Sequence, residues 1–156
     1  MNIGLIFAGG VGSRMGSSMP KQFLEWNGKA IIIQTLEIFD KHELIDGVVL
    51  VCKEDWIEYT KELTKKAKIK KLRSIIPGGA TALDSQYNGL QEINRLYPES
   101  NPIVLIHDGV RPLVDKETIT DCINCAEKKG NAITVTKAIE PLRADKKVGS
   151  SLEVAV

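Results

Sequence analysis

Two short blocks near the start of the chain carry residue types that suit phosphate chemistry. The first is Ala8-Gly9-Gly10-Val11-Gly12-Ser13-Arg14-Met15, which follows an apolar run, and the second is Pro20-Lys21-Gln22-Phe23. A glycine-rich turn after a strand leaves backbone N–H groups free to face an anion, because few side chains cover them. The guanidinium of Arg14 and the ammonium of Lys21 suit phosphate oxygens and a developing oxyanion. A tight turn that carries only surface charges is the alternative.

The first block matches neither of two common phosphate-binding motifs. No Gly-Lys-Ser or Gly-Lys-Thr follows it, so it is not a Walker A loop. Gly10 and Gly12 begin a dinucleotide fingerprint, but its third glycine position falls on Met15. The block therefore predicts phosphate binding without specifying a nucleotide.

A third block, His107-Asp108-Gly109-Val110-Arg111-Pro112, follows another apolar run. A carboxylate at such a strand end suits Mg²⁺, which is commonly bound by one or two carboxylates together with substrate phosphates. Alternatively, Asp108 caps a turn or pairs with Arg111. We expect His107 to be structural rather than a base, and His42 to lie on the surface.

Between these blocks lies a second glycine-rich loop, Pro77-Gly78-Gly79-Ala80-Thr81, followed by Asp84 and Ser85 at the start of a helix. The Ser85 hydroxyl has two interpretations of equal weight. It can hydrogen-bond a nucleobase or ribose, or it can cap and pack locally.

These loops must be positioned by strands and helices, and the sequence predicts strands that alternate with helices along the chain. Apolar, β-branched runs predict strands at Ile3–Phe7, Val48–Cys52, Leu72–Ile76, Ile103–Ile106 and Ala132–Val135. Helical spacing predicts helices over Ile31–Phe39, Glu54–Lys66, Thr81–Leu96 and Thr118–Glu127, the third with Leu83, Tyr87, Leu90, Ile93 and Leu96 as its apolar residues. This order predicts an α/β fold with a doubly wound, mostly parallel sheet, whose carboxyl edge gathers the three loops.

Composition bounds the function. The 156 residues are 43% hydrophobic and 26% charged, which suits one soluble domain. A formal net charge of +1 gives no basic field for nucleic acid. No apolar run is long enough to span a membrane, and Met1 is not followed by a signal peptide, so we expect a cytoplasmic protein with no membrane partner. The C-x-x-C of Cys122 and Cys125 falls inside a predicted helix and indicates packing residues rather than a redox site.

Together these blocks resemble the CTP-dependent cytidylyltransferases that act on 2-C-methyl-D-erythritol 4-phosphate and on D-ribitol 5-phosphate. The matching residues are the three blocks above, with Gly78-Gly79, Asp84-Ser85 and Asn88-Gly89 in the middle. The glycine-rich block alone is common to many sugar-nucleotide transferases. The Pro-Lys-Gln and His-Asp-x-x-Arg-Pro pair is the more specific signal.

The resemblance implies a Rossmann-like nucleotidyltransferase fold and a reaction of CTP with a polyol phosphate that releases pyrophosphate. It places Arg14 and Lys21 at the α-phosphate as catalytic residues and Asp108 as a ligand of the cofactor Mg²⁺. It implies a homodimer and a place in isoprenoid biosynthesis for the methylerythritol-phosphate type. It also implies nucleotide contacts at Ala8, Gly9, Gly10, Gly12, Gly79, Ser85 and Gly109.

This chain also departs from the family pattern. Ala80 and Ala82 stand where members often carry an acidic residue and an arginine, and Pro141 stands where a threonine usually contacts the acceptor. The resemblance fades after Val135, so we expect a nucleotide-binding part over 1–136 and a divergent tail over 137–156, with disorder as one interpretation of the tail. On this basis the sheet would be incomplete at its C-terminal end and the dimerisation arm absent.

Two alternatives stay open. One is a truncated, catalytically impaired fragment of the family that still binds nucleotide. The other is a nucleotidyltransferase that uses another nucleoside triphosphate and a sugar phosphate.

Overall fold

The centre of the fold is a four-stranded parallel sheet. We describe it from a computed structural model, which covers residues 1–8 and 19–135. The sheet contains β1 (Asn2–Ala8), β4 (Gly47–Cys52), β5 (Leu72–Pro77) and β6 (Ile103–Asp108), while β2 (Glu25–Trp26) and β3 (Lys29–Ala30) form a separate antiparallel pair. The strand order is β5-β4-β1-β6, with every neighbouring pair parallel. The predicted parallel α/β sheet is confirmed.

Helices cover both faces of this sheet. They are α1 (Ile31–Lys41), α2 (Ile57–Lys66, after a 3-10 turn at Glu54–Trp56), α3 (Ala82–Leu96) and α4 (Lys116–Lys129). Residues of α1, α2 and α4 pack on one side with Ile6, Val48 and Leu50, whereas α3 packs on the other with Leu5 and Val51. Burial on both faces explains why β1 and β4 are continuous apolar runs rather than alternating ones.

The strand order reverses beside β1. The chain runs outward from β1 to β4 and β5 and then returns through α3, which places β6 on the opposite side of β1. The carboxyl ends of β1 and β6 therefore flank a topological switch point, where open α/β sheets usually bind ligands.

The loop before α3 is held by a complete capping box. The Thr81 hydroxyl accepts a hydrogen bond from the Asp84 backbone N–H at 3.1 Å, and the Asp84 carboxylate accepts from the Thr81 N–H at 3.0 Å. The backbone N–H groups of Thr81 and Asp84 are both hydrogen-bonded at this helix start. The path of the chain from the glycine-rich loop into α3 is therefore fixed.

The third helix packs through only part of the face that its apolar pattern predicted, since Ile93 and Leu96 pack against the sheet but the earlier apolar residues do not. Leu83 is 74% exposed, and Tyr87 and Leu90 are also exposed, whereas Ser85 and Gly89 are buried. A Cβ at Gly89 would overlap Leu5, so this glycine allows the helix to approach the sheet closely. Small residues therefore form the buried contact in the first two turns of this helix.

Three further expectations were wrong. Ala132–Val135 is not a strand, since these residues pair with no described strand and Ile133 is 85% exposed. His42 is buried, with its ring nitrogens near the Leu44 N–H and the Lys116 carbonyl. Cys125 is exposed rather than packed. Pro141 and the 137–156 tail lie outside the described residues.

Across the part of the chain that the structure covers, no helix is both long and apolar enough to cross a membrane.

Candidate active site

A cleft of about 220 Å³ opens at the switch point between the ends of β1 and β6. Residues from all three predicted loops line it. Phe7 and Ala8 lie at the end of β1, with Lys21 and Gln22 on the turn that follows the first block; Gly79, Ala80 and Thr81 lie in the second loop, with Ala82 and Ser85 on the helix after it; Asp108 and Val110 belong to the third block. The structure thus brings together Ala8, Lys21, Gly79, Ser85 and Asp108. Gly9, Gly10, Gly12 and Arg14 lie outside the described residues.

Lys21 reaches the cleft from a single 3-10 turn, Lys21–Phe23. Consecutive side chains of such a turn diverge by about 120°, because it has three residues per turn. Lys21 is half-buried, Gln22 points inward, and Phe23 stacks on Trp56 at a ring distance of 4.8 Å. The aromatic contact anchors the turn. No described carboxylate forms an ion pair with Lys21, so its charge is available to a ligand.

Gln22 was missed as a site residue, although it belongs to the Pro-Lys-Gln-Phe block. Its side chain is fully buried, and its Nε2 donates to the Ala8 carbonyl at 2.8 Å. This bond ties the turn to the end of β1 across the intervening loop. A buried glutamine cannot be recognised from sequence, because its burial depends on a contact with a residue fourteen positions away.

The Ser85 hydroxyl is engaged within its own loop. It accepts a hydrogen bond from the Gly79 N–H at 3.1 Å and donates to the Thr81 carbonyl at 2.9 Å. The local capping role is therefore present, while Ser85 also lines the cleft. Since its one proton is used, the hydroxyl can offer a ligand only acceptor capacity. Contact with the cytidine stays a prediction for Gly79 and Ser85.

Asp108 lies at the end of β6 with its side chain 31% exposed. Its Oδ1 accepts from the Val110 N–H at 3.1 Å, and its Oδ2 lies 3.5 Å from the Arg111 Nε. The turn-capping and pairing roles are thus both present, but the ion pair is long and exposed, so it adds little stability. An ionised carboxylate has about four lone-pair sites, which leaves capacity for a cation. One carboxylate beside substrate phosphates fits Mg²⁺.

His107 has the environment of a structural residue. Its Nε2 lies 3.0 Å from the Arg111 carbonyl, and its ring packs against Phe39. Burial lowers its pKa, and this effect is partly offset by the Arg111 carbonyl and the charge of Asp108. The neutral ring therefore holds the 107–112 turn closed.

Gly109 does not line the cleft and packs against Ile32, Ala8 and Ile6. Its N–H donates to the Phe7 carbonyl at 2.9 Å, and its carbonyl accepts from the Thr35 hydroxyl at 2.9 Å. Both backbone groups are used within the protein, and the predicted nucleotide contact at Gly109 stays a prediction.

Gly109→Ala should destabilise the fold by about 1–3 kcal/mol, since overpacking a buried site forces its neighbours to move. The added Cβ would lie 2.6 Å from the Ile32 Cδ1 and 3.1 Å from the Ala8 Cβ. Urea denaturation measures the loss. Ile32→Val removes the nearest atom, so the two substitutions should couple in a double-mutant cycle; strictly additive losses would contradict this packing.

The parallel sheet and a cleft with lysine, aspartate and a glycine-rich turn are features of the α/β nucleotidyltransferase class. A family model described as IspD, 2-C-methyl-D-erythritol 4-phosphate cytidylyltransferase, matches residues 3–153. The chain belongs to this family.

Individual relatives agree with this assignment. A ribitol-5-phosphate cytidylyltransferase of Vibrio parahaemolyticus is 48% identical over 90% of this chain and 59% of its own length. A 2-C-methyl-D-erythritol 4-phosphate cytidylyltransferase of Clostridium botulinum (strain Langeland) is 43% identical over 82% of this chain and 54% of its own length. The chain therefore spans somewhat more than half the length of these relatives.

The solved structures support the fold. The crystal structure of a 4-diphosphocytidyl-2C-methyl-D-erythritol synthase superposes with a TM-score of 0.73 at 24% identity, covering 94% of this chain and 65% of that one. The Rossmann-like architecture expected from the resemblance is thus confirmed.

Proposed function

We propose that this chain is the nucleotide-binding part of a CTP-dependent cytidylyltransferase that transfers CMP to a polyol phosphate. The observation that carries the proposal is the meeting of Lys21, Gly79, Ser85 and Asp108, from three separate loops, around one cleft at the switch point. The names of the relatives supply the two acceptor candidates, ribitol 5-phosphate and 2-C-methyl-D-erythritol 4-phosphate.

The reaction would be an in-line displacement. A phosphate oxygen of the acceptor forms a bond to the α-phosphorus of CTP, and the bond from that phosphorus to the bridging oxygen breaks. The electron pair leaves with pyrophosphate. The protein has little acid–base chemistry to supply, so positioning and charge stabilisation would provide most of the rate acceleration.

Each site residue then has a defined task. Lys21, together with Arg14 of the glycine-rich block, would stabilise the negative charge that moves onto the leaving pyrophosphate. The second loop, from Gly79 to Ser85, would hold the nucleoside. Asp108 would hold Mg²⁺, which when bound neutralises phosphate charge and helps to orient the triphosphate.

The cleft wall next to α3 carries no charged side chain among its described residues that could help to neutralise the phosphates. Ala80 and Ala82 line the cleft, and they stand at positions where the family resemblance implies charged side chains. Of the described residues that line it, Lys21 is the one cation. The proposal therefore depends more on Lys21 here than it would in a relative with an arginine at the second of these positions.

The test is a turnover assay with CTP, Mg²⁺ and each acceptor, in which pyrophosphate release and the cytidylated product are measured. Ribitol 5-phosphate is the first acceptor to try, since the relative named for it is the more similar of the two. ATP, GTP and UTP in place of CTP test the base. CTP binding without turnover would restrict the function to nucleotide binding, and absence of both would refute the proposal.

A further inference from the structure

The amide of Gln22 is buried beside the cleft and only half of it is satisfied. Its Nε2 donates to the Ala8 carbonyl, but its Oε1 has no hydrogen-bond partner among the described residues. No other side-chain nitrogen or oxygen in the described ranges 1–8 and 19–135 is both buried and without a hydrogen-bond partner. A buried acceptor without a hydrogen bond costs free energy, and native proteins seldom keep one without a structural or functional reason.

The orientation of this amide follows from its chemistry. The Ala8 carbonyl can only accept, so it must face the NH₂ group of Gln22 rather than its oxygen. The Oε1 must then point the other way. Gln22 lines the cleft together with Lys21, Gly79 and Ser85, so its half-satisfied amide is buried in the wall of this site.

An unpaired acceptor selects among the parts of a nucleotide. The triphosphate presents mainly acceptor oxygens at neutral pH, and these repel a carbonyl oxygen. The nucleoside presents donors, namely the amine of the base and the hydroxyls of the ribose. Lys21 and Gln22 are adjacent on a 3-10 turn, so their side chains leave the backbone in directions about 120° apart.

We propose that Gln22 is a binding and positioning residue for the nucleoside end of the substrate. Its Nε2 fixes the last carbonyl of β1, and its Oε1 accepts a hydrogen bond from an N–H or O–H donor of the nucleoside. The inference rests on the proposed nucleotide function. It gives neighbouring residues of one turn separate tasks, with Lys21 for phosphate and Gln22 for the nucleoside.

The test compares the affinities for CTP and for inorganic tripolyphosphate, measured by calorimetry in Mg²⁺. Gln22→Met keeps the length of the side chain and removes both polar atoms. It should weaken CTP binding by roughly three- to tenfold while tripolyphosphate binding stays near the wild-type value. Gln34→Met is the matched control, because Gln34 also donates to backbone carbonyls but lies outside the cleft.

Nucleotide analogues locate the donor. If the loss is confined to CTP and is absent for UTP, the donor is the cytosine amine. If both nucleotides lose equally and 2′-deoxy-CTP does not, the donor is the 2′-hydroxyl. Either pattern supports the proposal.

A second variant keeps the test decisive if Gln22→Met does not fold. Gln22→Leu removes both polar atoms in a side chain of similar size and different shape, and it should likewise weaken CTP binding more than tripolyphosphate binding. A ratio of the two affinities that stays at the wild-type value would contradict the proposal.

Equal losses for CTP and tripolyphosphate in Gln22→Met, or no loss at all, would overturn the role of Gln22 while leaving the nucleotide site intact. A wild-type chain that binds no CTP would instead overturn the proposed function, and this inference with it.

Discussion

Lys21→Met should lower cytidylyl transfer by about two to three orders of magnitude, the usual cost of removing one preorganised group that stabilises charge in the transition state. The expectation is this large because Lys21 is the one cation among the described residues of the cleft. No described carboxylate neutralises it. Its turn is anchored by the Phe23–Trp56 stack, so the backbone that carries Lys21 is held in place before the ligand arrives.

The measurement is steady-state pyrophosphate release over a range of CTP concentrations. If the ammonium acts mainly on charge that develops during transfer, kcat should fall more than KM rises. Lys53→Met is the matched control, because Lys53 directly follows β4 at the same edge of the sheet and does not line the cleft. Turnover within a few-fold of wild type in Lys21→Met would refute the role given to Lys21.

The frame of the fold could be predicted from sequence because its strands are buried on both faces. The predicted Val48–Cys52 and the observed Gly47–Cys52 differ by one residue, and every residue of β4 is buried. A continuous apolar run is a strong signal in that environment. Ala132–Val135 has a similar composition and is not a strand, because a strand also needs a partner for its backbone, which composition does not encode.

The contact made by α3 could not be predicted for a different reason. Helical spacing identified the helix, but spacing alone does not say which face meets the sheet. The buried face contains Ser85 and Gly89 as well as Ile93, and a hydrophobicity pattern selects only the last of these. The close approach over Leu5 decides the orientation, and that contact forms only once the sheet exists.

The residues of the candidate site also include some that could be predicted from sequence and some that could not. The place of Lys21 and Asp108 in the cleft could be predicted, because each belongs to a block downstream of an apolar run and has a residue type that phosphate chemistry needs. Gln22 could not be, since its importance lies in one hydrogen bond to the end of β1 and in its burial. For His107 the sequence favoured a structural role, and its contacts with Arg111 and Phe39 agree with it.

Asp108→Asn should reduce turnover by about 10²- to 10³-fold and raise the Mg²⁺ concentration needed for half-maximal rate. Asparagine has nearly the same shape, and its carbonyl oxygen can still accept the Val110 N–H that shapes the turn. The lost contact to Arg111 is long and exposed, so the free energy of unfolding should change by no more than about 0.5 kcal/mol. The substitution therefore removes the charge while keeping the structure.

The assay for Asp108→Asn is the initial rate over a range of Mg²⁺ concentrations at saturating CTP. Asp115→Asn is the control, because it makes the same chemical change seven positions along the chain. Asp115 caps α4 through the Thr118 N–H at 2.7 Å, a bond that asparagine can keep, and it does not line the cleft. If Asp108→Asn loses turnover and needs more Mg²⁺ while Asp115→Asn does neither, Asp108 acts through its charge. An unchanged metal profile in Asp108→Asn would leave the carboxylate with only the turn-capping role, since its one other described contact is the weak pair with Arg111.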